Sequence, residues 1–335
     1  MSLTRILILY FFLLLSSSAI ATAGATVGQI GLQTFPALDS VYPLSVPVRI
    51  VLVNSDAGGK TLEGTRFHIR LYAPPSGRFL STDYPLVEKT LLIEMDLVAA
   101  QGTAIWEYVF PIRGVYRLEV AALNGTGKEV TAIFPLRIRE SKAKLLYLGI
   151  FVVSLFLFGV VVGRLFTTPN KKGYLKVGLL LVICALLVAA VKGNEPRVKE
   201  TGNKGPLLRL EISPPRVGRP SDIQWRLSEG ETERLLPGRL TLAITHLEKD
   251  KRLFFLDKIP TDGNFNLKFQ FTDAAPHRVS SSAEVEGWGP IRSESNVTVT
   301  SASPPRDVTV WTLFLFLCIL ALGLVTGRIS RSWKK

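Results

Sequence analysis

The chain has 335 residues, 47% of them hydrophobic, and a formal net charge of +13 at pH 7. A mean hydropathy of +0.28 is high for a soluble protein, and the length leaves room for two domains of ordinary size. The charge argues against a nucleic-acid binder, because residues 24–141 hold 11 Lys+Arg against 11 Asp+Glu and residues 196–306 hold 17 against 14.

Four apolar runs carry the hydropathy, over residues 6–15, 145–166, 173–191 and 308–325. The first follows Arg5 and gives way to Ser16-Ser17-Ser18-Ala19-Ile20-Ala21-Thr22-Ala23. A basic n-region, a short h-region and an A-x-A site describe a signal peptide over 1–23, with cleavage after Ala21 or Ala23. The other three are each long enough to cross about 30 Å of hydrocarbon. They are read as transmembrane helices over 145–166, 173–191 and 308–327.

Lys and Arg mark the cytoplasmic flanks of such helices. Arg164, Lys171, Lys172 and Lys176 cluster after the first run, and Arg328, Arg331, Lys334 and Lys335 fill the tail over 328–335, with no acid in either cluster. Residues 24–141 and 196–306 then both lie outside the membrane. Cys184 and Cys318 are the only cysteines, and both fall in predicted helices. The exported segments therefore have neither a disulfide framework nor a Cys-type zinc site. Exported domains without disulfides favour a bacterial source and a periplasmic setting, on a multi-pass inner-membrane protein.

Both exported segments read as all-β. In the first, alternating runs cover 46–53, 66–72, 90–97, 104–110, 114–121 and 129–138. In the second they cover 207–213, 222–227, 239–246, 253–258, 264–271, 277–284 and 295–300. Short strands between turn signals predict two immunoglobulin-like β-sandwiches of about 100 residues, over 24–141 and 196–306.

The chain reads as a tandem repeat. Gly159-Val160-Val161-Val162-Gly163-Arg164 is matched in the second half by Gly323-Leu324-Val325-Thr326-Gly327-Arg328. Strand patterns around Trp106 and Phe265 agree at nearly the same offset, and small insertions or deletions reconcile the two. The four glycines allow helix backbones to approach closely, so the first and third helices are expected to pack against each other or against a partner subunit. Arg164 and Arg328 are read as anchors at the membrane interface. The second helix returns the chain to the outside before the second copy begins.

Nucleophilic catalysis lacks an inventory. There is no Gly-x-Ser-x-Gly elbow, exported cysteine, P-loop or dinucleotide fingerprint. Asn124-Gly125-Thr126 and Asn296-Val297-Thr298 are glycosylation sequons, relevant only in a eukaryotic host. Trp106, Trp225 and Trp288 are assigned to packing. Of the histidines, His68 does not align with His246. His246 closes one predicted strand and His277 opens another, so adjacent strands in a sandwich bring the two together. With Glu248 or Asp273 they offer imidazole and carboxylate ligands suited to copper or zinc, although no His-x-His or His-x-x-x-His spacing is present and the alternative is a pair of polar structural histidines near strand ends. Tyr116 stands where a first-copy equivalent of His277 belongs.

His246-Leu247-Glu248-Lys249-Asp250, then Asp262-Gly263-Asn264-Phe265, then Phe269-Gln270-Phe271-Thr272-Asp273-Ala274-Ala275-Pro276-His277 resembles the bacterial YtkA-like and FixH-like periplasmic domains. Those are small immunoglobulin-like sandwiches, often membrane-anchored and associated with copper handling or oxidase assembly. The resemblance implies His246 and His277 as metal positions. The layout is also similar in shape to the copper-bearing large subunit of particulate methane monooxygenase, whose paired His-x-His ligands this chain lacks.

The first expectation is a non-enzymatic membrane protein whose periplasmic domains bind or scaffold other membrane or periplasmic proteins, with no cofactor. The second is a copper-handling or oxidase-assembly accessory protein using His246 and His277. The third is an accessory subunit of a membrane transporter.

Overall fold

The computed structural model describes residues 30–56, 58–77, 81–124, 129–165, 206–229, 234–303 and 306–332. The predicted signal peptide, the predicted helix over 173–191 and Cys184 lie outside the described residues. The first half supplies β1 (Ile30–Phe35), β2 (Val48–Asn54), β3 (Thr65–Tyr72), β4 (Leu91–Ala99), β5 (Thr103–Tyr108), β6 (Gly114–Leu123), β7 (Glu129–Ile138) and helix α1 (Lys142–Leu165). The second supplies β8 (Pro206–Ile212), β9 (Ser221–Glu229), β10 (Arg234–Leu235), β11 (Gly238–His246), β12 (Lys251–Thr261), β13 (Asn264–Phe269), β14 (Pro276–Glu284), β15 (Ile291–Thr298) and helix α2 (Arg306–Ser332).

Period-two alternation sets the faces. In β3, Phe67, Ile69 and Leu71 are buried while Arg66, His68 and Arg70 point outward. In β14, His277, Val279, Ser281 and Ala283 are inward. Trp106 and Trp225 pack in the core, but Trp288 lies in the turn between β14 and β15 and is 57% exposed, so its assignment to packing is corrected.

The expected pair of separate sandwiches is not what forms. One sheet runs β1-β2-β5-β12-β11-β14-β15, and the other runs β9-β13-β4-β3-β6-β7 with β8 and β10 both on β9. Each sheet therefore combines β1, β2 and β5 (or β8, β9 and β13) of one half with the four remaining principal strands of the other. The two seams are equivalent. Phe254, Phe255 and Leu256 of β12 pair with Tyr108, Glu107 and Trp106 of β5. Ile93, Glu94 and Met95 of β4 pair with Phe269, Lys268 and Leu267 of β13. Phe254 follows Ile93 by the same interval of chain as Phe269 follows Tyr108.

Unpaired strand edges explain the fusion. Within either half, β4 and β5 (or β12 and β13) lie in opposite sheets, each with one edge still unpaired. Buried backbone donors and acceptors need partners, and the other half supplies them. Val109 N–H donates to Leu253 O and Gln270 N–H to Leu92 O, both at 2.9 Å, which extends each seam by the same step. The core is continuous beneath the seams: Tyr108 meets Phe269 across the halves at 6.5 Å between ring centroids, and Phe254 meets Phe269 at 5.8 Å. Each fully buried aromatic contributes about 1.5–3 kcal/mol relative to exposure, so the halves stabilise one another.

Helices α1 and α2 have the length and composition to cross a membrane. They run parallel and touch along their length, from Phe151 against Phe316 to Arg164 Nε donating to Ser330 Oγ at 3.0 Å. Gly159, Gly163, Gly323 and Gly327 are the buried positions among the described helical residues. A Cβ on Gly159 would stand 2.6 Å from Leu320 O, and one on Gly323 would collide with Phe156 O.

Candidate metal centre

His246 is the last residue of β11 and pairs directly with His277 of β14. Both rings point inward, with His246 2% and His277 0% exposed. Their centroids are 4.8 Å apart, and Phe271 packs edge-on against His277 at 4.9 Å. Asp273 comes from the bend between β13 and β14. Ligand atoms of His246, Asp273 and His277 all lie within 4.8 Å of one another. Among the clustered residues the carboxylate is Asp273; Glu248 is exposed in the β11–β12 turn. His68 sits on the outer face of the other sheet, with Nδ1 2.7 Å from Asp96 Oδ1, and takes no part.

The hydrogen bonds assign the ring protons. Lys249 backbone N–H donates to His246 Nδ1 at 3.3 Å, so Nε2 carries the proton and donates to Asp273 Oδ2 at 3.0 Å. His277 Nδ1 lies 2.8 Å from Ala275 O, a carbonyl that only accepts, so Nδ1 is the donor and Nε2 is a bare lone pair. Burial holds the His277 pKa below its ordinary value and keeps the ring neutral. The bare Nε2 faces Asp273 Oδ1 at 3.6 Å, and both atoms are buried without a hydrogen-bond partner.

Two residues not foreseen from sequence complete the surroundings. Lys249 Nζ donates to Asp273 Oδ2 at 2.9 Å. Burial pushes the Asp273 carboxyl up, but the bonds from Lys249 and His246 outweigh it and hold its pKa below the ordinary value. Tyr84, from the β3–β4 connection of the first half, lies beside Lys249; burial pushes its hydroxyl pKa up. A lysine in a polar turn carries no sequence signal of such a role. The neighbouring Asp83 pairs with Lys144 of α1, so the cluster lies at the end of the sandwich from which the helices leave.

The first half holds a different arrangement at the corresponding place. Tyr116 precedes His277 by the interval that relates the two seams, and its ring packs on Phe110 at 4.8 Å and 67°, as His277 packs on Phe271 at 4.9 Å and 65°. The Tyr116 hydroxyl donates to Ile112 O at 2.6 Å and accepts from Ile112 N–H at 2.9 Å. The hydroxyl is satisfied both as donor and as acceptor; in the second half, His277 Nε2 and Asp273 Oδ1 are not satisfied at all.

No protein-family model matches the chain, and no curated protein matches it. The soluble domain of PmoD from Methylocystis sp. ATCC 49242 (Rockwell) is similar to 35% of this chain over 95% of its own length, at 16% identity and a TM-score of 0.25. The tetra-tandem repeat in the extending region of a large adhesion protein covers 80% of this chain and 49% of itself, at 10% identity and a TM-score of 0.23. Red sea bream transglutaminase covers 82% of this chain and 32% of itself, at 8% identity and a TM-score of 0.21. None of the three bears on the reading of the site.

Proposed function

We propose that this chain is a non-catalytic, membrane-anchored β-sandwich protein that holds one transition-metal ion, copper or zinc, at His246, Asp273 and His277. The observation that carries this reading is the buried pair of lone-pair atoms, His277 Nε2 and Asp273 Oδ1, aimed at each other at 3.6 Å. Two such acceptors repel, and burying either unpaired costs about 1–3 kcal/mol. A cation between them removes both penalties. Metal–nitrogen and metal–oxygen bonds of about 2.0–2.2 Å in a tetrahedral site place donors roughly 3.3–3.6 Å apart, so this pair already has the spacing. Imidazole and carboxylate together suit copper and zinc.

The anchoring extends the same reading. Parallel α1 and α2 leave one end of the sandwich, and β8 begins back within it. The apolar run over 173–191 is long enough in sequence for a third crossing between them. With the basic clusters on the cytoplasmic side, the sandwich faces the periplasm of a bacterium. The matched seams support a duplicated gene segment, with the metal ligands kept or acquired in the second copy alone.

Metal analysis of the detergent-purified full chain tests the reading. After dialysis against Cu(II) or Zn(II), about one equivalent is expected per chain, falling to background in Asp273→Asn and His277→Ala. A wild-type chain that retains no metal sinks it.

A further inference from the structure

Resting on that reading, we propose that Lys249 is a built-in competitor for the metal: it holds the cluster in its metal-free state and is expelled when an ion enters. Lys249 touches two of the three ligands in two ways. Its ammonium donates to Asp273 Oδ2 at 2.9 Å, and its backbone N–H donates to His246 Nδ1 at 3.3 Å.

Each contact opposes loading. The ammonium places a positive charge on the carboxylate that an incoming dication needs, and two cations on one carboxylate repel. The backbone bond keeps the His246 proton on Nε2, the atom that faces Asp273. For Nε2 to bind metal, that proton moves to Nδ1, with no net proton released. Nδ1–H then confronts Lys249 N–H, donor against donor, so the amide must swing away. The amide belongs to the turn over 247–250, tied down by Leu247 N–H donating to Pro276 O at 3.0 Å and carrying Asp250 at φ 45°. The His277–Asp273 Oδ1 pair needs no such change. The ion is therefore taken first by His277 and Asp273, and His246 joins as the turn opens.

The ammonium also has somewhere to go. Tyr84 stands beside it, and Asp83 is the next residue along, already paired with Lys144 of α1. Loading moves a charge from the cluster toward the start of a membrane helix.

The test is chelator-competition titration of the full detergent-solubilised chain with Cu(II) and Zn(II), comparing wild type, Lys249→Met, Lys249→Gln and Lys249→Arg. Both neutral variants are expected to bind at least tenfold more tightly than wild type, and the arginine variant within about threefold of it. The glutamine variant keeps a donor toward Asp273, which guards against misfolding of the methionine one. In wild type, hydrogen exchange in the turn over 247–250 is expected to quicken on metal addition. If wild type binds metal and the neutral variants bind equally or more weakly, the competitor role is overturned while the metal site stands. If wild type binds neither ion, both readings fall. Unchanged exchange in the turn overturns its opening.

Discussion

His277 Nε2 and Asp273 Oδ1 face each other at 3.6 Å with no hydrogen-bond partner for either. Tyr116, at the corresponding place in the first half, has its hydroxyl fully satisfied by the Ile112 peptide. The same strand geometry thus carries two side-chain solutions, one closed on the backbone and one open to a ligand.

Exchanging one solution for the other separates binding from folding. His246 fills the position that Ala73 occupies opposite Tyr116, one step past the Tyr72–Arg117 pair. His277→Tyr alone overpacks the site against His246 and is expected to cost about 1–3 kcal/mol. Adding His246→Ala makes the room that Ala73 leaves for Tyr116. The double variant is expected to recover most of that loss while binding no metal. Urea or thermal unfolding of the two variants checks this; a double variant less stable than the single refutes the correspondence.

Tyr116→Phe probes the closed solution. Its hydroxyl satisfies both the N–H and the carbonyl of Ile112 in a fully buried setting. Removing it leaves those groups unpaired, at a cost of about 1–3 kcal/mol. Thermal melts of the purified chain are expected to show the drop without any change in metal content.

The β4–β13 seam has a pH signature. Glu94 Oε2 accepts from Lys268 Nζ across the halves at 2.8 Å, and Oε1 accepts from Arg70 Nε at 2.7 Å. The Lys268 bond, then that of Arg70, holds the Glu94 carboxyl below its ordinary value of 4.5. A carboxyl depressed in the folded state contributes stability that is present above its unfolded pKa and lost as pH falls through the folded one. Stability of the wild type is therefore expected to decline below about pH 4.5 more steeply than that of Glu94→Gln, whose side chain does not titrate. Parallel unfolding curves from pH 6 to 3 would remove Glu94 from the account of the seam.

What sequence reasoning reads well here is periodicity, and what it misses is partnership. Alternation at Phe67, Ile69 and Leu71 locates β3, and the strand ends at His246 and His277 suffice to bring two imidazoles together. Glu248 and Asp273 are equally eligible carboxylates in the sequence, because a short turn alone decides that Glu248 points to solvent. The fused sheets are not legible there, since β4 alternates in the same way whether β13 or nothing lies beyond its edge. Lys249 is invisible for a related reason: its turn, Glu248-Lys249-Asp250, reads as a solvated charge cluster, and only the fold carries its ammonium to Asp273.

The helix pair supplies the last prediction. Gly159, Gly163, Gly323 and Gly327 are buried on helices whose other described side chains are all at least partly exposed. A Cβ on Gly159 meets Leu320 O at 2.6 Å and Gly323 Cα at 3.0 Å, so the neighbour it strikes is backbone that cannot rotate aside. In lipid no hydrophobic force compensates for a poor fit, so the association of such helices depends strongly on close packing. Gly159→Leu or Gly323→Leu is therefore expected to separate α1 from α2, whereas Leu at Gly149, where an added Cβ meets nothing within 4 Å, is expected to be neutral. Cysteines placed at Phe151 and Phe316, whose rings now touch at 5.3 Å between centroids, report the separation through lost cross-linking. The sandwich is built from both halves independently of the helices, so its metal content is expected to survive. Cross-linking that persists in both leucine variants would show that the glycines do not set the approach of the helices.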